Sequence, residues 1–138
     1  MRPLVVDASA VAAWLVRSQQ TARADAFLAE LDRFDCLAPE IFRWEVVNVL
    51  LVQSRRSTTF DVGGALLELD EYRVRCDTRI GPEEIDELAR VARIESLSLF
   101  DTAYLATAIA HEAELVSRDR ALIAAALRHG IVVHDLND

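Results

Sequence analysis

Lysine is absent from this sequence, in which all 15 residues of the Lys and Arg class are arginine. A protein without lysine cannot form a Schiff base with a substrate, and it cannot supply the lysine of a Walker-type phosphate loop. Arginine still contacts phosphate groups through its fork of donors. The absence therefore excludes two catalytic mechanisms and leaves phosphate chemistry open.

Long apolar runs and export signals are also missing. No window approaches 18 uninterrupted apolar residues, so no segment is expected to span a membrane. The N-terminus lacks the basic region, apolar block and cleavage site of a secretory signal, which predicts a cytoplasmic protein. Cys36 and Cys76 do not have CxxC spacing. In a cytoplasmic chain we expect them to be buried thiols rather than a disulfide or a zinc site.

The composition indicates a folded protein with an excess of acid. The chain has 138 residues, of which 52 % are hydrophobic, and this predicts one domain with a sizeable core over residues 1–138. Its net charge of −8 disfavours nucleic-acid binding through a generally basic surface. A nucleic-acid enzyme is not excluded. Carboxylates that hold metal ions count as negative in the net charge, but the bound cations neutralise them.

Short apolar segments alternate with helical patterns along the chain. Strands are predicted at 4–6, 36–38, 71–76, 114–117 and 131–134, and helices at 8–16, 22–31, 40–54, 58–69, 82–93, 102–113 and 120–129. The third helix is apolar nearly all round, which is typical of a buried helix. Helical crossovers between short strands predict a single three-layer α/β/α domain with a mostly parallel sheet of about five strands.

Four acidic residues are expected at one edge of this sheet. Asp7 ends the first strand, Asp119 follows the fourth, and Asp101 lies in the first turn of the helix that leads into the fourth. Glu45 lies in the first two turns of the helix after the second strand. Parallel strands place their carboxyl ends at one edge, where open α/β sheets bind ligands. The predicted topology therefore brings the four carboxylates together.

Three of these acids also have simpler structural explanations. Asp7 or Ser9 has the position of a helix N-cap, and so does Asp119. Ser98 and Asp101 have the spacing of a capping box. Capping by Asp7 is compatible with metal binding, since one carboxylate oxygen can hold the helix start while the other faces a metal.

Glu45 lies inside its helix and cannot be an end cap. Three interpretations are open for its side chain: it points outward along a polar stripe, it pairs with an arginine such as Arg43 or Arg55, or it binds a metal ion. Carboxylates about 4 Å apart repel by about 4 kcal/mol per pair at an effective dielectric near 20. Hard divalent cations relieve this repulsion, and all-oxygen clusters favour Mg²⁺ or Mn²⁺. Such sites typically serve phosphate chemistry.

Four segments that contain these acids resemble one known family. They are Val5-Val6-Asp7-Ala8-Ser9, Glu45-Val46-Val47-Asn48-Val49-Leu50, Leu97-Ser98-Leu99-Phe100-Asp101-Thr102-Ala103-Tyr104-Leu105-Ala106 and Leu115-Val116-Ser117-Arg118-Asp119. In order and spacing they resemble PIN-domain ribonucleases, and most of all the VapC-type toxins of prokaryotic toxin–antitoxin pairs. The resemblance covers essentially the whole chain.

This resemblance implies a metal-dependent endoribonuclease, in which a metal-activated water hydrolyses an RNA phosphodiester bond. The expected ligands of Mg²⁺ or Mn²⁺, directly or through water, are Asp7, Glu45, Asp101 and Asp119. The residues expected to support them by hydrogen bonding are Ser9, Asn48 and Ser117. Ser117 stands where the family more often has threonine, and Phe100 stands where tyrosine is frequent. The first change keeps the hydroxyl group and the second loses it.

The same resemblance implies a homodimer and a small antitoxin partner that covers the acidic cleft. Candidate contacts to RNA phosphates are Arg43, Arg55, Arg56, Arg73, Arg75 and Arg118. A PIN fold that acts mainly as a binding partner, without significant nuclease activity, is the alternative.

Two further classes of protein fit less well. An aspartyl-phosphate phosphatase needs a second aspartate where Ser9 stands, together with a lysine that is absent. A phospho-acceptor receiver module also needs a lysine, and it prefers paired acids after its first strand. The three histidines, at positions 111, 129 and 134, have no metal-ligand spacing, and we interpret them as structural or solvated.

Overall fold

A five-stranded, all-parallel sheet forms the middle of the protein. The computed structural model describes residues 1–138, with the side chains at positions 77 and 78 outside that description. The strands are β1 (Arg2–Val6), β2 (Phe34–Pro39), β3 (Arg75–Thr78), β4 (Glu114–Ser117) and β5 (Val133–Asp135). Their order in the sheet is β3-β2-β1-β4-β5, and every neighbouring pair is parallel. The predicted parallel α/β class is confirmed.

Helices cover both faces of this sheet, which gives the three-layer α/β/α arrangement. They are α1 (Ala8–Leu15), α2 (Ala22–Leu28), α3 (Ile41–Arg56), α4 (Val62–Glu71), α5 (Pro82–Glu95), α6 (Leu99–Ala110) and α7 (Arg120–Arg128). Helix α1 packs against α2, α3 and α4, α3 also packs against α4, and α6 packs against both α5 and α7. No helix in the described part of the chain is both long enough and apolar enough to cross a membrane.

The centre of the sheet is the centre of the core. Leu4, Val5 and Val6 of β1 are fully buried, as are Leu115 and Val116 of β4. A strand covered on both faces has no side that needs polar residues, and this explains its continuous apolar sequence. Burying each of these side chains contributes about 1.5–3 kcal/mol. The strand ends that follow are therefore attached to the most rigid part of the fold.

The topology creates a crevice beside β1. From β1 the chain first builds outward through β2 to β3, and it then crosses to the other side of β1 to form β4 and β5. The strand order thus reverses between β1 and β4. Ligands of open α/β sheets bind at the carboxyl ends of the strands at such a reversal.

Several boundaries differ from the sequence predictions. The third strand was expected at 71–76 and lies at Arg75–Thr78, because α4 continues to Glu71. That helix starts at Val62 rather than at 58, since the Asp61 side chain caps it by accepting from the Gly64 amide. Helix α2 ends at Leu28 rather than at 31, and α6 runs from Leu99 to Ala110 rather than over 102–113.

Two predictions of burial are also wrong. Helix α3 was expected to be buried all round, but it buries only the stripe formed by Phe42, Val46 and Leu50. Its Trp44 is 82 % exposed. Cys36 is buried as predicted, whereas Cys76 is exposed. The apolar sequence of α3 thus includes one buried stripe, while Trp44 and Leu51 remain exposed among polar residues.

Candidate active site

Asp7 lies at the end of β1, where it caps α1 and is 3 % exposed. Its Oδ1 accepts hydrogen bonds from the Ala10 amide at 3.0 Å and from the Ser9 hydroxyl at 2.6 Å. Its Oδ2 accepts one from the Ser117 hydroxyl at 2.6 Å. The expected N-cap is present. The second carboxylate oxygen, which was expected to face a metal, accepts a hydrogen bond from Ser117. A cation would therefore use the remaining lone pairs of a carboxylate that is already held in place.

Ser9 and Ser117 join the two central strand ends. The Ser117 hydroxyl accepts from the Asp119 amide at 2.9 Å, and the Ser9 hydroxyl accepts from the Arg118 amide at 2.9 Å. The two hydroxyl oxygens are 3.3 Å apart. Ser117 is fully buried. Each hydroxyl thus links the segment after β1 to the segment after β4.

Asp119 and Asp101 begin helices at the same edge. Asp119 caps α7 by accepting from the Leu122 amide at 2.9 Å. Asp101 lies in the first turn of α6, and its amide donates to the capping Ser98 hydroxyl at 3.1 Å. The structural explanations offered for these acids are therefore correct. These capping roles do not prevent the acids from lying at one edge of the sheet.

Glu45 is held by a residue that the sequence analysis did not single out. Its Oε1 accepts a hydrogen bond from the Tyr104 hydroxyl at 2.7 Å, and Tyr104 is buried. The expected alternative partner, Arg43, instead pairs with Asp70 at 3.2 Å. Tyr104 follows Asp101 by three residues in α6, and this helical spacing places the two on one face. That spacing was the available signal for its role.

The charges of the four acids act on one another. Burial raises the pKa of Asp7 to about 6 and the charge of Asp119 adds to the rise, despite opposing hydrogen bonds from Ser117, Ser9 and Ala10. Burial, followed by the charges of Asp119 and Asp7, raises the pKa of Asp101 to about 6.

Glu45 belongs to the same group of interacting charges. Burial raises its pKa, the Tyr104 hydroxyl opposes the rise, and the charges of Asp101 and Asp119 add to it. The charges of Asp7, Asp101 and Asp119 therefore act within one group, and those of Asp101 and Asp119 also reach Glu45. Negative charge accumulates at this edge, and a cation there would relieve it.

The donor set suits a hydrated divalent cation. Among the described residues, no group of three or more His, Cys, Asp or Glu side chains is already arranged as a metal cluster. Mg²⁺ keeps several of its waters and is usually held by one or two carboxylates, so it does not need such a cluster. The all-oxygen donors and their mutual repulsion fit Mg²⁺ or Mn²⁺ bound partly through water.

The remaining predicted site residues differ in their surroundings. Asn48 is exposed one turn after Glu45, and both line a groove of about 710 Å³ beside the carboxylates. Arg118 donates to the Gln19 carbonyl at 2.5 Å. Six arginines were expected to contact RNA. Three of them contact other protein groups, namely Arg43, Arg75 and Arg118. The other three, Arg55, Arg56 and Arg73, have exposed side chains.

A family comparison decides the identity of this fold. The PIN-domain model matches residues 4–133. The chain belongs to the PIN-domain family. PIN domains are generally nucleases, and the carboxylate edge described above is the candidate active site of this PIN domain.

Solved structures agree on the fold. The structure of PAE2754 from Pyrobaculum aerophilum is 24 % identical, with a TM-score of 0.67, and the match covers 96 % of this chain and 89 % of that one. FitAcB from Neisseria gonorrhoeae is 18 % identical, with a TM-score of 0.59 and 96 % of each chain covered. No match was found among curated proteins.

Proposed function

We propose that this PIN domain is a Mg²⁺- or Mn²⁺-dependent endoribonuclease and the toxin of a toxin–antitoxin pair. Residues 1–138 would act as one nuclease domain in the cytoplasm, as a homodimer that a small antitoxin inhibits. One observation carries the proposal: four carboxylates from separate elements lie at the carboxyl edge, and the charges of their neighbours add to the raised pKa of Asp7, Glu45 and Asp101. Without a bound cation, the electrostatic repulsion between these carboxylates would serve no chemical function.

Each part of the site has a distinct role in this proposal. Asp7, Glu45, Asp101 and Asp119 would hold the cation directly or through water. A bound cation would activate a water molecule as the nucleophile and would stabilise the leaving oxygen of the phosphodiester. Ser9 and Ser117 fix the orientation of the Asp7 carboxylate through their 2.6 Å hydrogen bonds. Tyr104 orients Glu45 in the same way.

Cleavage of RNA tests the proposal. Structured RNAs incubated with the protein should be cut with Mg²⁺ or Mn²⁺ and left intact with chelator. Asp101→Asn should reduce the rate by more than about 100-fold, because loss of even an outer partner of a metal site costs about 10- to 100-fold. Asp86→Asn is the matched control, since Asp86 is exposed on α5.

Two outcomes would count against the proposal. Cutting by Asp101→Asn at the parent rate would show that the site is wrongly placed. The absence of cutting with either cation, across RNAs of different structure, would favour the alternative function. In that alternative the PIN fold serves as a binding partner without significant nuclease activity.

A further inference from the structure

The segment after β5 lies alongside the segment after β4. Asp135 of β5 is in register with Ser117 of β4, and the Leu136 amide donates to the Ser117 carbonyl at 3.0 Å. Because the two strands are parallel, both segments leave the sheet at the carboxyl edge, where the four acids lie. We call residues 136–138 the β5 strap. Its first residue, Leu136, is buried, so the strap packs against the core where it begins.

Contacts with the start of α2 fix the strap at both ends. The Leu136 carbonyl accepts a hydrogen bond from the Thr21 hydroxyl at 2.6 Å. The Asp138 carboxylate accepts from the Ala22 and Arg23 amides, each at 3.1 Å. A carboxylate at a helix N-terminus satisfies amides that have no partner inside the helix. The middle residue of the strap therefore has a fixed backbone position.

That middle residue, Asn137, contacts both the backbone and the side chain of Arg118. Its Nδ2 donates to the Arg118 carbonyl at 3.0 Å, and its Oδ1 accepts from Arg118 Nε at 3.4 Å. Asp135 Oδ1 orients the amide by accepting from Asn137 Nδ2 at 2.8 Å and from the Asn137 backbone amide at 2.9 Å. Acceptors thus surround Nδ2 and a donor faces Oδ1, so the surroundings match one orientation of the side-chain amide.

The Asn137 contact holds the peptide unit that precedes Asp119. The Arg118 carbonyl and the Asp119 amide belong to one planar peptide group. Asn137 binds this group at its oxygen, and the Ser117 hydroxyl binds it at its nitrogen, at 2.9 Å. On the other side of Arg118, the backbone amide donates to the Ser9 hydroxyl at 2.9 Å. The peptide group cannot rotate without breaking one of these hydrogen bonds.

Asp119 is the acid whose charge acts on each of the other three. It adds to the raised pKa of Asp7, Glu45 and Asp101, for each of which burial is the largest cause. The interaction between two charges falls with their separation. A change in the direction of the Asp119 side chain therefore alters the electrostatics of the whole group.

We propose that Asn137 is a positioning residue of the candidate active site. It holds the peptide group before Asp119, and through it the Asp119 carboxylate, in the place from which that carboxylate joins a bound cation. Asn137 itself touches neither the cation nor the substrate. The role toward the cation rests on the nuclease function proposed above, whereas the hold on the Asp119 peptide group stands without it.

Amide hydrogen exchange in chelator tests this hold without metal or RNA. In Asn137→Ala, the Arg118 and Asp119 amides should exchange about 5-fold faster or more, because the segment loses two hydrogen bonds. The amide of Leu50, which is buried in α3, should keep the parent rate. Parent rates at Arg118 and Asp119, or an equal rise at Leu50, would overturn the proposal.

Mn²⁺ affinity, measured by calorimetric titration well below the unfolding temperature, gives the second readout. Asn137→Ala should bind Mn²⁺ about 10-fold more weakly, since outer partners of metal ligands contribute about 10- to 100-fold. Asn137→Asp should do no better, because its carboxylate presents an oxygen to the Arg118 carbonyl and the Asp135 carboxylate. Parent affinity in Asn137→Ala would reduce the contact to a structural one and overturn the positioning role. Recovery of parent affinity in Asn137→Asp would overturn the role of Nδ2.

Trp14→Phe is the matched control for a general loss of stability. Trp14 of α1 is half-buried and donates to the Ala24 carbonyl at 2.9 Å, so the variant also loses a side-chain hydrogen bond to the backbone. Its Mn²⁺ affinity and its exchange rates at Arg118 and Asp119 should match those of the parent. Equal changes in Trp14→Phe and Asn137→Ala would show that lost stability, and not position, weakens the site.

The two proposals fail in different ways. If the parent binds Mn²⁺ and cuts RNA while Asn137→Ala keeps the parent exchange rates and affinity, the positioning role is wrong and the nuclease function stands. If the parent neither binds Mn²⁺ nor cuts RNA, the nuclease function fails, and the role of Asn137 toward a cation fails with it. Faster exchange at Arg118 and Asp119 in Asn137→Ala would then still support the hold on the peptide group.

Discussion

The two halves of the carboxylate site are built differently. The strand-end half consists of Asp7, Ser9, Ser117 and Asp119. The helix half consists of Glu45, Asp101 and Tyr104. In the first half, the Asp7 carboxylate accepts three hydrogen bonds and is nearly inaccessible to water. In the second, the Glu45 and Asp101 side chains remain half-buried.

Under the proposed function, this difference would give the two halves separate tasks. Asp7 is placed by the most buried strands of the core and fixed by two serine hydroxyls, so its geometry exists before any ligand arrives. Glu45 is held through one tyrosine hydroxyl from another helix. We infer that the strand-end half positions a cation and that the helix half adjusts to it. The predictions below test this division.

The largest expected effect is a loss of stability as the pH rises. Burial raises the pKa of Asp7 from 3.8 to about 6, so the folded protein holds this proton more tightly than the unfolded chain does. The stability from this group is fully present below about pH 3.8 and is lost as the pH rises through about 6. The full loss is roughly 3 kcal/mol, of which about half falls between pH 5 and pH 7.5.

Urea unfolding in chelator at those two pH values measures this effect. Mn²⁺ should restore more stability at pH 7.5 than at pH 5, because the cation binds the charged carboxylates. The same titration on Asp101→Asn should show a smaller effect of Mn²⁺. A metal-free protein that became more stable between pH 5 and pH 7.5 would contradict the assignment of Asp7 as a buried acid with a raised pKa.

The next largest effect is expected from Ser117→Ala in the strand-end half. The change leaves Asp7 Oδ2 and the Asp119 amide without their 2.6 Å and 2.9 Å hydrogen bonds. Because Ser117 is fully buried, water cannot easily replace the hydroxyl, and the loss should be about 1–3 kcal/mol in the free energy of unfolding. Ser57→Ala removes a hydroxyl hydrogen-bonded near the surface and should cost less than about 0.5 kcal/mol. Equal effects of the two changes would show that the buried Ser117 hydroxyl does not hold the strand-end half together.

The smallest effect on stability is expected from Tyr104→Phe in the helix half. The variant loses the 2.7 Å hydrogen bond to Glu45 and should lose about 1 kcal/mol of stability. Its affinity for Mn²⁺ should fall by about tenfold, since partners of metal ligands contribute about 10- to 100-fold. Tyr72→Phe, which removes a similar bond to the exposed Glu68, is the control for calorimetric titration. An unchanged Mn²⁺ affinity in Tyr104→Phe would exclude Glu45 from the cation site.

The same two halves differ in how well they could be predicted from the sequence. The strand-end half follows from local signals: an apolar run that stops at Asp7, and N-caps that start α1 and α7. Parallel topology then brings these ends together without any knowledge of side-chain contacts. The capping of α6 by Ser98 is equally local, and it was also predicted correctly.

The helix half depends on contacts between distant segments. Glu45 and Tyr104 are 59 residues apart. The spacing of Tyr104 from Asp101 places the tyrosine on the same helix face, but no short pattern shows that its hydroxyl donates to Glu45. The alternative that Glu45 pairs with Arg43 is wrong for the same reason, because Arg43 pairs with Asp70 of another helix, α4. The exposure of Trp44 was not predicted either, since hydrophobic periodicity does not show whether an apolar residue outside the buried stripe meets a neighbour.

A crystal of the protein soaked in Mn²⁺ tests the central claim most directly. Anomalous density should appear beside Asp7, within reach of Asp101 and Asp119 directly or through water. The Asp7 side chain should keep its hydrogen bonds to Ser9 and Ser117, while Glu45 or Asp101 turns toward the ion. Density absent from this edge at saturating Mn²⁺ would contradict the claim that the four carboxylates form a cation site.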